Sequence, residues 1–549
     1  MDYLFNTDSS KDFAQGAKRF GINFGIGFLM FFLTSFFYLC LKPYANATDG
    51  NGQTIAVAFG FSLLILIFLY GFVLFKLHRL NQKWIFFFIV LVSWVFSLTY
   101  ACYNLSTDRQ HDVWLENEHS DYAWNIYEYG ALPSTNEGQF YHPPLNALVQ
   151  AMWMHILDFF VNLFRMKDYA ITRFQAGIYR NYDAYRYFLF GSTAILTVFY
   201  RFLEAIFFIK ILTLYKEEGK EVILLACLAC FYPRLTEFSG LLNNDPIAFL
   251  LSTMALYYAL RYIKKGKDWY SIMMCAVTLG LAMMAKLNSA VICLPIGFLF
   301  VYEFVLSCQK KEGSQKLLVM VPQYLSFLVV CGVLALWFQV YVSKRFNQPF
   351  GYVWGQDGGL NRNLYVGNYN LIERFFLPSF KELTKSVFGD PFNSHNLWAC
   401  LMKSSIFDEV FYNSQNLAAG LIGEILLFFV LVVHFVLFVR FAYLTIRYDW
   451  VKKGHKRPTC YDKMEDNIFL LLLFLAEFGA DIYFNIKMPY GCTMDFRYVM
   501  PLIIAYPLSY LFYFDRSSEE KIPFFRILMK VEQYMIVGFL VFTSLYYMS

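Results

Sequence analysis

The sequence predicts an all-α, polytopic membrane protein of about thirteen transmembrane helices, with two large outer-face segments that carry juxtamembrane helices. Three observations lead there. Of the 549 residues, 58% are hydrophobic and 16% charged, against roughly 25% charged in soluble globular chains. Apolar runs of about 18 to 25 residues, long enough for a hydrocarbon core of about 30 Å, recur from end to end. Lys and Arg gather in alternate short loops between the runs, as the inner loops of a multi-pass protein do.

The first 18 residues are polar and lack a signal-peptide core, so the first apolar run is expected to act as its own insertion signal. Spans are expected near 20–41, 54–76 and 84–102, then 187–213, 219–237, 246–262, 270–285, 289–307 and 317–339, and finally 417–445, 466–485, 498–514 and 528–547. With the N-terminus inside, Lys76, Arg79, Lys83, Lys216, Lys220, Lys264, Lys265, Lys267, Lys310, Lys311, Lys452, Lys453, Lys456, Arg457, Lys521 and Arg526 all fall in inner loops. The chain divides accordingly into N-terminal spans (1–102), a first outer loop (103–186), a central bundle (187–339), a second outer segment (340–416) and C-terminal spans (417–549).

The run 142–166 is long enough to span. Its polar residues argue otherwise: Asn146, Gln150, Asp158 and Asn162 recur at multiples of four, with His155 close by, which marks a helix lying in the interface. Pro143 and Pro144 would open it. A spanning helix there would also send the basic stretch KKGHKRP outside, against the charge bias.

The modest net charge of +5 follows from these inner loops, so it points to topology and not to nucleic acid as a partner. Of the 11 Cys, Cys227 and Cys230 form a CxxC, but inside VILLACLACFY they read as small buried hydrophobes.

Chemistry is expected at the outer helix ends. Between Tyr103 and Phe140 the chain carries Asp108, Asp112, Glu116, Glu118, Asp121, Glu128 and Glu137 against the single Arg109. Crowded carboxylates beside a membrane raise one another's pKa and can supply a general base or a metal site; a solvated acidic loop is the plainer account. His111, Asp112, Glu116 and His119 have no standard zinc spacing. Trp114, Tyr122, Trp124, Tyr127 and Tyr129 suit either a sugar-stacking platform or an interfacial belt. Tyr141 and His142 stand at the mouth of the juxtamembrane helix, where His142 can bind a sugar or phosphate or simply cap the helix.

Asp245 as N-cap with Pro246 as the first helical residue fits the start of a span. Lys286 is the sole charge between two apolar runs joined by a tight outer turn, and Arg497 with Tyr498 stands at the outer start of another span. Two cations at such positions suit a phosphate at the membrane surface. Snorkelling of Lys286 and pairing of Asp495 with Arg497 are the plainer accounts.

The order HD in the first outer loop, QFYHPPL before a juxtamembrane helix, NDP at the start of a span, AKL between paired spans and DFRYVMP near the C-terminus resembles the membrane glycosyltransferases of family 39. These are the relatives of protein O-mannosyltransferases and aminoarabinose transferases, and GDPFNSHNLWACLMKSSIFDE resembles their bacterial members. The resemblance, from about Asp108 to Pro501, implies a GT-C fold and a polyprenyl-phosphate sugar donor. It also implies a glycan, lipid or protein acceptor, and a site on the extracytoplasmic face of the plasma membrane. Asp112 is the match for the catalytic base, with His111, Tyr141, His142, Asp245, Lys286, Arg497 and Tyr498 around the substrates. Where the mannosyltransferases carry an Asp-Glu pair this chain has His111-Asp112-Val113, so sugar and acceptor do not carry over. No cofactor is required, although a divalent metal at Glu116 or Asp245 stays open. A flippase or transporter, and a glycan polymerase or ligase, are the competing readings. The sequons at Asn46 and Asn104 would suit the endoplasmic reticulum instead.

Overall fold

A computed structural model describes residues 13–45, 52–103, 119–133, 141–168, 170, 184–309, 313–351, 365–376, 395–407, 417–446, 464–516 and 522–548. Among these residues the protein is helical and forms no β-strand, with one isolated bridge between Tyr365 and Tyr490. Nine helices there are long and apolar enough to cross a membrane, which makes the chain a multi-pass membrane protein.

The N-terminal spans are α1 (Phe13–Ala45), α2 (Gly52–Lys76) and α3 (Gln82–Tyr103). In the first outer loop lie α4 (His119–Tyr129) and α5 (Leu145–Leu163). The expected span 187–213 is divided into α6 (Ala184–Gly191) and α7 (Ala194–Tyr215). The expected span 219–237 is likewise divided into α8 (Lys220–Cys230) and α9 (Pro233–Phe238), because Pro233 cannot continue the hydrogen-bond ladder of α8. Then follow α10 (Asp245–Lys265), α11 (Trp269–Ala285), α12 (Cys293–Gln309) and α13 (Gly313–Phe346). The second outer segment holds the short α14 (Leu371–Phe375) and α15 (Leu397–Ser404), and α16 (Leu417–Ile446), α17 (Met464–Lys487), α18 (Leu502–Arg516) and α19 (Pro523–Tyr547) complete the chain. Of the thirteen expected spans, nine coincide with the long apolar helices, while 270–285 and 498–514 fall on the shorter apolar helices Trp269–Ala285 and Leu502–Phe514.

The bundle is built on the packing of α7 on α10, α10 on α11, α11 on α13, and α16 on α19, of which only α10 and α11 follow one another in the chain. Gly280 on α11 lets α13 come close, since an added Cβ would lie 2.7 Å from the Leu334 Cβ and 3.1 Å from the Cys331 carbonyl. At one end of the bundle Lys264 pairs with Asp466, Lys267 with Glu303 and Lys216 with Glu221. At the other end Lys286 pairs with Asp245. Each pair joins helix ends that the charge bias puts on the same side.

On α5 the expected polar stripe is split. Asn146 and Gln150 face the bundle, buried, and Gln150 Nε2 donates to the Leu242 carbonyl at 2.6 Å. Leu148, Met152, Phe159 and Leu163 are the exposed side. The rest of the polar stripe faces outward: His155 and Asn162 are exposed and Asp158 is half-buried, accepting from Tyr185 and from Asn162. Cys227 and Cys230 carry no disulfide.

Candidate functional site

Five chain segments converge at the end of the bundle that holds Lys286. The first is the start of α10. Asn244 is the N-cap and Asp245 the first helical residue, one position later than expected of a capping Asp. Asn243 fixes it twice: its Nδ2 donates to Asp245 Oδ2 and its Oδ1 accepts from the Asp245 backbone N–H, both at 3.0 Å. Asn244 Nδ2 donates to the Ala285 carbonyl at 3.1 Å, which ties this start to the end of α11.

The second segment is the residue after α11. Lys286 is extended, between α11 and the 3-10 turn Leu287–Ile292, and its Nζ donates to Asp245 Oδ1. Burial pushes the Lys286 ammonium below its ordinary pKa; Asp245 opposes that shift and Arg497 adds to it.

The third is the 3-10 turn Phe496–Val499, capped by Asp495, whose Oδ1 accepts from the Arg497 backbone N–H at 2.8 Å. Its Tyr498 ring carries Lys286 Nζ 4.7 Å from its centroid and the Arg497 guanidinium 5.2 Å from it. Burial raises the Tyr498 hydroxyl above its usual range, so the phenol stays protonated and can donate. Asp495 also accepts from Arg234 Nη2 at 2.9 and 3.1 Å.

The fourth and fifth are the start of α4 and the turn before α5, which bring His119 and His142 together with ring centroids 5.1 Å apart. Tyr141 packs on His142 at 4.4 Å, and the Tyr122 hydroxyl donates to the His142 carbonyl at 3.3 Å. Burial lowers His119 to about 4, and the nearby Lys286 and Arg497 cations work in the same direction, against Asp245. His142 is pushed well below its ordinary value, first by burial and then by His119, Lys286 and Arg497. Both imidazoles are therefore neutral near pH 7 and can accept a hydrogen bond.

Tyr141, His142, Asp245, Lys286, Arg497 and Tyr498 thus share one cleft, as residues of the same candidate set. His119, weighed in sequence only as a metal ligand, joins them. His111, Asp112 and Glu116 lie outside the described residues, as do Trp114 and both sequons. Among the described residues no three His, Cys, Asp or Glu gather as a metal site. The proposed stacking platform is used internally: Trp124 stacks on Tyr127 at 4.9 Å, Tyr127 on His155 at 4.5 Å, and the Arg186 guanidinium covers Trp124 at 5.0 Å. Tyr122 is buried, whereas Tyr129 is exposed.

Two features had no sequence signal. Below the Lys286–Asp245 pair runs a narrow crevice of about 30 Å³, lined by Ser252, Asn288, Ser289 and Glu477 with Arg497 and Tyr498. On the far side of the turn, Phe496 and Val499 border an apolar groove of about 870 Å³ between α16 and α17. Phe438 and Phe474 touch along its wall, their centroids 5.5 Å apart. The groove also reaches His434, whose Nδ1 lies 2.9 Å from Glu532 Oε1 and whose Nε2 lies 2.7 Å from Ser509 Oγ. Comparisons with known families, with curated proteins and with solved structures return no match for this chain.

Proposed function

We propose that the protein is a membrane glycosyltransferase of the GT-C kind, which moves a sugar from a polyprenyl-phosphate donor to an acceptor hydroxyl on the outer face, with inversion. The observation that carries this reading is the convergence of Lys286 and Arg497 on one Tyr498 ring, beside neutral His119 and His142 and next to a large apolar groove. Two cations held by one ring suit a phosphodiester, and the groove has room for an isoprenoid chain.

In this reading Asp112 takes the proton of the acceptor hydroxyl as its oxygen attacks C1 of the sugar. The bond from C1 to the phosphate oxygen breaks, and the polyprenyl phosphate leaves with the electron pair. General-base help of this kind contributes about 10² to 10⁴ in rate. Lys286 and Arg497 stabilise the charge that grows on the phosphate, with the Tyr498 hydroxyl as a further donor. Lys286 shares itself between Asp245 and the anion, so Asp245 keeps the cation in place between turnovers. His119 and His142, being neutral, accept hydrogen bonds from sugar or acceptor hydroxyls. No metal enters these steps. The membrane is the plasma membrane in this reading.

A flippase for lipid-linked glycans is the second reading, favoured by the His434–Glu532 pair inside the spans, since ionisable residues at such depth mark transport paths. One experiment separates them. The purified protein is given short-chain polyprenyl-phosphate sugars, and free polyprenyl phosphate is followed for wild type, Asp112→Asn and Lys286→Met. Release by the wild type with a loss of at least about 10²-fold in Asp112→Asn supports the transferase. No release with any donor, together with transbilayer movement of a lipid-linked glycan in vesicles, favours the flippase.

A further inference from the structure

The crevice below the Lys286–Asp245 pair is assembled from three elements and lined by more oxygen than the protein's own hydrogen bonds use. Asp245, Ala248, Phe249 and Ser252 form one stripe of α10, at the spacing that aligns side chains along a helix face. Asn288 and Ser289 come from the 3-10 turn Leu287–Ile292, which packs on α17, and α17 supplies Glu477. Among the described residues no side-chain hydrogen bond engages Ser252, Asn288 or Ser289. Glu477 is 2% exposed, and its Oε1 is buried with no hydrogen-bond partner in the protein.

Glu477 stands ten residues before Lys487, the last residue of α17, hence about 15 Å into the membrane. An ionisable group at that depth is costly unless its charge is compensated. The surrounding charges fall short of doing so. Asp481, one turn further along α17, repels Glu477, and Asp495 repels Asp481 in turn. Of the cations at this end, Lys286 pairs with Asp245, and Arg234 with Asp495 and Glu237. With Arg497 added to these cations, the carboxylates still outnumber them.

We infer that the crevice binds a monovalent cation of sodium size, with Glu477 as the charged ligand and Ser252, Ser289 and the Asn288 side-chain carbonyl as neutral oxygen ligands. Hard oxygen donors select an alkali or alkaline-earth ion. The charge of the site decides between them: Asp245 is already held by Lys286 and Asn243, which leaves one carboxylate for the ion, and a dication would be repelled twice as strongly by Lys286 and Arg497. A space of about 30 Å³ also admits no shell of the several waters that Mg²⁺ keeps. The inference is independent of the reaction proposed for the cleft.

The test uses full-length protein in detergent micelles at fixed pH and ionic strength, with NaCl replacing choline chloride, and follows the unfolding midpoint. An ion held only by the folded state raises the midpoint with its concentration. Wild type is expected to show a saturable rise and Glu477→Gln none, while Ser289→Ala should need at least about tenfold more Na⁺ for half the shift. Glu424→Gln removes another buried carboxylate, on α16 and outside the crevice, and should respond as wild type does. Retention of radioactive sodium, measured where all four proteins are folded, gives a second readout that a lowered midpoint in Glu477→Gln would not disturb. A wild-type midpoint indifferent to Na⁺ overturns the site, as does a full response in Glu477→Gln or an equal loss in Glu424→Gln. A midpoint that follows pH but not Na⁺ would give Glu477 a proton in place of the ion and overturns it as well.

Discussion

The Lys286–Asp245 pair is the most exacting point at which to test the cleft. Its side chains are 11% and 5% exposed, and removing one member of a buried pair costs about 3–5 kcal/mol. The two removals are not equivalent. Asp245→Asn strands a buried ammonium beside Arg497, on the same tyrosine ring, and should cost about 4 kcal/mol. Lys286→Met leaves a carboxylate that keeps its Asn243 amide and the nearby Arg497, so about 3 kcal/mol is expected. The double variant loses both charges and should cost no more than Asp245→Asn alone, a coupling of about 3 kcal/mol. Reversible unfolding in mixed micelles measures all four proteins. A short-chain polyprenyl phosphate adds a second arm: it should stabilise Asp245→Asn more than wild type, because the anion replaces the lost carboxylate, and should do least for Lys286→Met. Additive costs in the double variant, or equal stabilisation of all four by the anion, would refute the electrostatic account of this cleft.

Three further outcomes are expected. His119 is lowered from 6.5 to about 4 in the folded protein, so the unfolded chain binds a proton that the native state refuses. Its stabilising contribution is complete above about pH 6.5 and is lost as pH falls towards 4; His119→Gln should flatten the acid side of the unfolding-midpoint profile, with His142 responsible for the slope that remains. Gly280→Ala should cost about 1–3 kcal/mol by forcing α11 from α13, while Gly297→Ala, with nothing within 4 Å, should be silent in the same unfolding assay. Glu532→Leu removes the acceptor for both His434 and Tyr506, whose hydroxyl donates to the same Oε1 at 2.6 Å. It should cost about 3 kcal/mol, and adding His434→Leu should recover part of that loss.

What was legible in the sequence divides by range. Apolar run length gave the long spans, since a hydrocarbon slab admits few alternatives. Lone charges at run ends gave Asp245, Lys286 and Arg497, because a charge stands out against the apolar runs that it separates. On α5 periodicity revealed the polar stripe but not that its first two members, Asn146 and Gln150, pack against protein, because a stripe does not name the medium it faces. The break at Pro233 was passed over, as average hydropathy across 219–237 hides a local loss of backbone hydrogen bonding. His434, Ser509 and Glu532 lie far apart in the chain, and nothing local in any of the three names the other two. The apolar groove is a property of the space between α16 and α17, and apart from His434 no residue in it looks unusual alone.

The break at Pro233 and the position of Arg497 have one physical cause in common. Had α8 continued as a straight helix, residue 234 would sit on its far end; the turn at Phe231 and Tyr232 instead starts α9 inside the bundle. Arg234 is then wholly buried, paired with Glu237 one turn later and with Asp495 across 261 residues of sequence. A buried triad of this kind adds little net stability, because desolvation consumes most of the Coulomb attraction. What it does contribute is position: two hydrogen bonds from Arg234 hold the Asp495 carboxylate, and that carboxylate caps the turn whose next residues are Arg497 and Tyr498. Arg234→Met alone would strand two buried carboxylates and cost several kcal/mol, whereas the triple variant Arg234→Met, Glu237→Leu and Asp495→Asn strands no charge and should be tolerated in a stability measurement far better than in anion binding, since it fills the same space without fixing the turn. A loss of stability greater than the loss of anion affinity would mean that the triad serves the fold and not the cleft.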